Sequence, residues 1–595
     1  MVMLRVESID KLPEFKGAIR GITHDKYHTQ VCVIDHGCAE VSVVCVETFF
    51  STTLYLNLLQ TIKSQKFLLK MVNEFVASEE LIRQIWTITD RKAKQNIVNE
   101  TDKFLIFYDE IISAAVNLSA SDIHFEMLDQ EESLIRLRVY GRVIEWKRVS
   151  TELLKGALTA AYSKRTKTGT NSSGALSLDR AMNTMTEQVV NGKIYNGRFT
   201  GYPVVNGYDV VMRLLESDPR SKIPDIQALG YASYHVQDQI MPAIRKNAGM
   251  MAIAGSTGSG KSTALRSFIY ALPGRDQLKI YGVEDPVEYL NRFMRQISVQ
   301  RNTDDPDDVV KMKFLSALRS VLRMDPDVLM LGEIRDRDSA SLASECNRTG
   351  HRVFTTVHGD GCVDVLARLC SEEIGISPST LAGKKYLTAV MYQKLLPKVC
   401  THCRIPAVDV LPKATLRVLI ENFKVNPQSM FCASETGCEH CRLKLGSAAT
   451  QNSALQSQPN IAGTKGMTVV AEILIPDDEI LDAIKKRDWQ RVEDQWRGAR
   501  NSGFDSEDMR GKTAFEHALY KACAVLIDPR DIESDFESFE TYRIREIDRQ
   551  PPQLVDQALL NSSMINANGS KPAYLLKISK DVETVRVSNS DAEVA

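Results

Sequence analysis

No run of eighteen or more apolar residues occurs in this 595-residue chain, which excludes an ordinary membrane-spanning helix of about twenty apolar residues. A secretory leader is not expected either, because Glu7, Asp10 and Glu14 stand where its apolar core would lie. Basic excess is lacking: 74 Lys and Arg against 76 Asp and Glu leave a formal net charge of −2. That balance argues against a general nucleic-acid binder, which carries a cationic surplus, although it is compatible with a local basic groove. Cysteine is sparse, at 12 in the whole chain. A disulfide scaffold is therefore not expected, and a reducing compartment with some thiols on a metal is. The expectation is a cytoplasmic protein of about four domains.

What is present is organised around Gly255-Ser256-Thr257-Gly258-Ser259-Gly260-Lys261-Ser262, which fits G-x-x-x-x-G-K-[ST]. The apolar stretch 249–254 before it reads as a buried strand. Thr263 to Leu272, with Ala264, Leu265, Phe268, Ile269 and Leu272, reads as a helix. A strand, loop and helix in that order aim backbone N–H groups and the helix dipole at a polyphosphate. Lys261 would neutralise the outer phosphates of ATP, and the Ser262 hydroxyl would ligate Mg²⁺. Residues 255–263 are the expected nucleotide-binding set.

Further strands are expected at 278–283, 327–331 and 352–356, alternating with helices, which implies a mostly parallel sheet. The first of these runs into Glu284-Asp285-Pro286-Val287-Glu288, and the second into Gly332-Glu333-Ile334-Arg335-Asp336. Carboxylates at these strand ends could hold hydrated Mg²⁺ and orient an attacking water. Glu288 is the first choice for the base, with Glu284 and Asp285 as helpers and Glu333 near the metal. His351 and His358 flank the strand 352–356, and either could donate a hydrogen bond to the γ-phosphate.

Cys400-Thr401-His402-Cys403 and Cys438-Glu439-His440-Cys441 are two Cys-x-x-Cys knuckles 34 residues apart. Four thiolates close a tetrahedral Zn²⁺ site with no open position, so the metal would be structural. Cys432, His402 and His440 remain alternative ligands. The chain divides into an α/β docking domain at 1–103, an α/β domain at 104–218 and a linker at 219–235. A phosphate-loop domain at 236–395 and a cysteine subdomain at 396–445 follow. A polar loop is expected at 446–466, a mostly helical region at 467–545 that opens with a strand-like Thr468–Ile475, and a loosely attached tail at 546–595. In the first domain, helix-like stretches are expected around 54–75 and 79–97; in the second, a helix is expected at about 104–117 and an exposed loop at 166–178.

Taken together, residues 104–545 resemble the secretion ATPases of type II secretion and type IV pilus assembly. The resemblance rests on Ser121-Asp122-Ile123-His124 with Arg136, Arg138 and Gly141, and on the phosphate loop. It also rests on the acidic box 284–288, the run from Leu318 to Asp336, the Thr349-Gly350-His351 and His358 histidines and the four cysteines. It implies an α/β architecture of a RecA-like phosphate-loop NTPase domain, a preceding PAS-like domain, a zinc subdomain and a C-terminal helical region. It further implies a homohexamer that hydrolyses ATP and passes rotation to a polytopic inner-membrane platform protein, with an accessory protein at the amino-terminal domain. Such a chain is peripheral to the membrane and binds no nucleic acid. Arg198 and Arg213 fall on the family's two phosphate-contacting arginines. Departures are Gly359-Asp360-Gly361-Cys362 after the second histidine, Lys394 where arginine is usual, and the lengthened 446–466 stretch. Pilus assembly is the leading expectation and type II secretion the alternative; a RecA-like nucleic-acid motor is the reading from another class.

Overall fold

The computed structural model describes residues 4–19, 22, 25–37, 40–64, 70–128, 132–166, 176–299, 307–441 and 462–545. Residues 167–175 of the expected exposed loop, 446–461 of the polar loop and the whole tail from 546 lie outside these.

The first sheet holds β1 (Leu4–Arg5), β2 (Gly17–Ala18), β3 (Val31–Gly37), β4 (Glu40–Cys45) and β5 (Lys70–Val76), in the order β1-β5-β4-β3-β2. Sequence periodicity had suggested a helix across 54–75, but that helix is Thr53–Ser64 and the rest of the stretch is β5. Pairing on both sides, with β1 and β4, places Phe75 in the core, and this outweighs local helical propensity. A second difference concerns 79–97 and 104–117. Both belong to one helix, Glu79–Asn117, capped by the Ser78 hydroxyl, which accepts from Leu81 N at 3.2 Å. The expected boundary at 103/104 falls inside it. Its first turns put Leu81, Ile82 and Ile85 into the first core, and its last turns put Tyr108, Ile111 and Ile112 into the second.

That second core lies under a fully antiparallel sheet of β6 (Ala120–Leu128), β7 (Glu132–Val139), β8 (Arg142–Ser150), β9 (Met182–Val190), β10 (Lys193–Val204) and β11 (Gly207–Glu216). Its order is β8-β7-β6-β11-β10-β9. Alternation sorts its residues: Phe125, Leu137, Phe199 and Met212 point into the core, while Arg198 and Val211 are exposed. Residues 219–235 are more than a tether, since Ile226 and Tyr231 enter the core of the next unit.

The third sheet contains β12 (Gly249–Ala254), β13 (Ile280–Glu284), β14 (Arg295–Ser298), β15 (Val328–Leu331), β16 (Arg352–Val357) and β17 (Leu387–Val399). After the two-stranded antiparallel sheet of β18 (Ile405–Pro406) and β19 (Phe431–Cys432), β20 (Thr464–Leu474) returns to the third sheet. Its order is β14-β13-β15-β16-β12-β17-β20, parallel throughout except for β17 with β20. β20 overlaps the strand expected at 468–475, and its pairing with β17 carries the third sheet beyond the expected limit at 395. β12 is buried along its whole length, as a strand covered on both faces must be. Its loop opens at the carboxyl end of the sheet, where ligands bind in open α/β folds.

Candidate functional site

Gly255, Gly258 and Gly260 have φ of +147°, +82° and +83°, values that L side chains rarely adopt. At Gly255 space is decisive as well, because a Cβ would lie 2.3 Å from the Gln393 carbonyl oxygen. The helix Lys261–Tyr270 follows at once, anchored by fully buried Leu265, Phe268 and Ile269. Each such burial contributes roughly 1.5–3 kcal/mol, which offsets the backbone cost of a glycine-rich loop. Lys261 Nζ turns back on the loop and donates to the carbonyls of Gly255 at 2.7 Å and Ser256 at 2.9 Å. Burial lowers its pKa, against the opposing pull of Glu333 and Glu288. The loop thus offers helix-end N–H groups and one ammonium, which suits a polyphosphate.

Glu288 and Glu333 come to this loop from different strands. Ser262 Oγ donates to Glu288 Oε2 at 3.0 Å. Glu333 is gripped from two sides, by Arg335 Nε at 2.5 Å and by His358 Nε2 at 2.8 Å. His358 reaches it because β15 and β16 are neighbours and both side chains stand just past their carboxyl ends. Asp285 lies 3.9 Å from Arg335 Nη1.

Two of the sequence-derived assignments take no part in these side-chain pairs. Glu284 stays within β13, buried, with Gln296 Nε2 of β14 donating to it at 2.9 Å; burial pushes its carboxyl up to about 7. It is the last residue of β13, buried at the sheet's carboxyl end, where the charge and the backbone of Glu288 both act on it. His351 precedes β16 whereas His358 follows it, so the six-residue strand separates them by roughly 20 Å. His351 instead hydrogen-bonds Thr349 Oγ1 and the Cys346 carbonyl, both at 2.9 Å. A strand cannot present residues from both its ends to one phosphate, so His351 leaves the set.

The antiparallel sheet supplies the opposing cations. Arg198 and Arg213 are direct cross-strand partners, and directly opposed residues share a face. Arg213 Nε donates to Asp122 Oδ1 at 2.9 Å, and Arg138 lies 3.7 Å from the same carboxylate. Arg213 is close enough for its charge to act on Lys261 and on Tyr289. The two lobes also touch where Ser217 Oγ, just after β11, donates to the Glu288 carbonyl at 3.2 Å. Arg198 is exposed on the same face.

Cys400, Cys403, Cys438 and Cys441 bring their Sγ atoms within 4.8 Å of one another. Three of the separations are 3.7, 3.6 and 3.8 Å. A tetrahedral ion with Zn–S bonds of about 2.3 Å sets its sulfurs about 3.8 Å apart, so the four thiols fit zinc. The alternative ligands go elsewhere: Cys432 is buried in the core beside them, and His402 stacks on His440 with centroids 3.7 Å apart.

Sequence reading overlooked Asp122 as the anchor of Arg213, Arg335 as the partner of Glu333, and Gln393 behind the loop. The alternation of β6 could have flagged Asp122, a carboxylate 5% exposed. Gln393 gave no signal, because an amide in an apolar strand looks like a packing residue until its partners are known.

The pattern of the family described as Type II/IV secretion system protein matches residues 99–519. Over 420 residues the chain is 30% identical to the type IV pilus assembly ATPase PilB of Thermus thermophilus, a span of 70% of this chain and 42% of that protein. Type II secretion system protein E of Aeromonas hydrophila is 28% identical over 418 residues, 69% of this chain and 74% of that protein. Its counterpart in Pseudomonas aeruginosa is 30% identical over 420 residues, covering 69% and 73%. The chain thus spans less than half of the pilus protein and about three quarters of these two secretion proteins.

Proposed function

Because this chain belongs to the family of Type II/IV secretion system proteins, we propose that it hydrolyses ATP to power type IV pilus assembly at the inner membrane. The observation that carries this reading is the meeting of Lys261, Ser262, Glu288 and Glu333 at the carboxyl end of a parallel sheet, with Arg213 facing them from another lobe. The amides of 255–263 and Lys261 hold the triphosphate. Ser262, with Glu288 hydrogen-bonded to it and Glu333 near Lys261, would hold Mg²⁺, which would supply charge neutralisation to the phosphates. Glu288 orients the attacking water and takes its proton, while the His358–Glu333–Arg335 cluster keeps the second carboxylate in place. Arg198 and Arg213 close over the γ-phosphate and tie its presence to the position of their sheet. Zinc at the four cysteines stiffens the subdomain that follows.

The working unit in this reading is a homohexamer that turns against a polytopic inner-membrane platform protein, with residues 1–103 meeting an accessory protein. None of the described helices is long and apolar enough to cross a membrane, which fits a peripheral position. Service to a type II secretion system is the second reading. The fuller coverage of the two secretion proteins, 74% and 73% against 42%, favours it.

The test is phosphate release by the purified full chain with Mg²⁺ and ATP, before and after both Arg198 and Arg213 are changed to alanine. The expected result is turnover by the parent, and a loss of turnover with nucleotide binding kept in the variant. A parent without Mg²⁺-dependent hydrolysis overturns the function, and an undiminished variant overturns the sealing role. Stimulation by DNA would favour a nucleic-acid motor.

A further inference from the structure

Gln393 lies in the middle of β17, fully buried, just past the stretch of that strand that pairs with β12 ahead of the phosphate loop. A buried amide costs free energy unless its donors and acceptor are satisfied. Gln393 Nε2 donates to the Ser259 carbonyl at 2.7 Å, and its Oε1 accepts from the Tyr231 hydroxyl. Its own main-chain oxygen closes the space behind Gly255, and a Cβ on Gly260 would stand 3.5 Å from Nε2. One residue therefore meets the loop at its beginning with its main chain and at its end with its side chain.

Tyr231 connects this contact to the segment between the two lobes. It lies in 219–235, its ring packs on Phe268 of the helix behind the loop with centroids 5.7 Å apart, and the neighbouring Gly230 carbonyl accepts from Lys521 Nζ.

The Ser259 carbonyl and the Gly260 N–H belong to one planar trans peptide, so they point in opposite directions. Holding the carbonyl from behind aims the N–H forward, into the concavity of the loop. Gly260, at φ +83° and without a Cβ, offers little steric resistance to rotation of that plane. We infer that Gln393 is the positioning residue of the phosphate loop, fixing the Ser259–Gly260 peptide for phosphate binding and linking it through Tyr231 to the connector between the lobes. This rests on the ATP-binding reading above.

Three full-length variants test it by fluorescent-nucleotide affinity and by KM and kcat for ATP. Gln393→Leu removes the donor at nearly constant shape. Loss of one hydrogen bond corresponds to about threefold to tenfold weaker binding, expected in KM more than in kcat. Tyr231→Phe leaves the amide in place but unanchored and shifts affinity the same way by a smaller factor. Gln393→Glu gives a readout that a purely structural role would not move. Protonated, its O–H replaces the lost donor; ionised, it repels the Ser259 carbonyl. Its affinity relative to the parent should fall as pH rises, between about 5 and 8, since burial raises a carboxyl. Thermal unfolding of each variant reports the fold, and if Gln393→Leu does not fold, the other two carry the test. Parent-like affinity in Tyr231→Phe together with a pH-independent ratio in Gln393→Glu overturns the inference. A parent that binds no nucleotide overturns the functional reading instead.

Discussion

Replacing the Glu288 carboxylate by an amide of the same shape separates chemistry from architecture at this site. In Glu288→Gln the side-chain oxygen can still accept from Ser262 Oγ, and the main-chain carbonyl still accepts from Ser217 Oγ. Stability should change by no more than about 0.5 kcal/mol, as for a substitution that breaks no buried pair. Nucleotide binding should persist, since the loop amides and Lys261 are untouched. Turnover should fall by about 10²–10⁴, or about 2.7–5.5 kcal/mol on the barrier, the usual contribution of a general base. Glu333→Gln is the informative contrast, because that carboxylate pairs with Arg335 and His358. Those partners are 58% and 49% exposed, so solvent limits the loss to about 1 kcal/mol per pair at most. Single-turnover phosphate release, nucleotide affinity and thermal unfolding on both variants read the three quantities. Full turnover in both would refute the assignment of either carboxylate to the reaction.

Lys261→Ala should abolish nucleotide binding, measured with a fluorescent analogue, because it removes the loop's cation and its ties to the Gly255 and Ser256 carbonyls. Chelation should release one zinc per chain, measured with a metal-sensitive dye, and raise hydrogen exchange across 396–445 while nucleotide affinity holds. At Glu472, burial pushes the carboxyl up to about 7 against hydrogen bonds from Cys362 N at 2.6 Å and Ala514 N at 3.0 Å. The folded chain then binds this proton more readily than the unfolded chain, so the group's contribution to stability falls as pH climbs from about 4.5 to 7. Glu472→Gln should flatten that part of the melting-temperature profile.

The elements most legible in the sequence were those whose chemistry is local. The phosphate loop announces itself because glycine, lysine and serine are all demanded within eight residues, and the knuckles because two thiols per turn suit few other purposes. Strand position was readable where apolar runs end in acids, as at 280–284 and 328–331. What escaped was set by distant pairing. β5 is a strand because β1 and β4 lie on either side of it, and β20, legible as a strand at 468–475, owes its place in the third sheet to pairing with β17. The amide of Gln393 and the carboxylate of Asp122 take their meaning from partners 134 and 91 residues away. No periodicity within a strand records such a distance. His351 shows the opposite error: it is near His358 in sequence but is carried to the far end of a strand.

Several of the site's polar and charged groups are already partnered within the chain. Lys261 sits on two carbonyls, Ser262 on Glu288, Glu333 on Arg335 and His358, and Arg213 on Asp122. A polyphosphate that binds there must exchange partners and not merely add to them. Most of these exchanges are confined to the parallel sheet and its loops, but the one at Arg213 is not. Asp122 and Arg213 both belong to the antiparallel sheet, so drawing the guanidinium toward a phosphate pulls against an anchor in the other lobe. A charge-assisted hydrogen bond of this kind is worth about 1.5–3 kcal/mol, less where solvent reaches the arginine. That is too little to prevent the exchange and enough for it to bias how the two lobes sit. If Arg213 contacts the phosphate as proposed, coupling between nucleotide and domain position would follow from where the arginine's resting partner is placed.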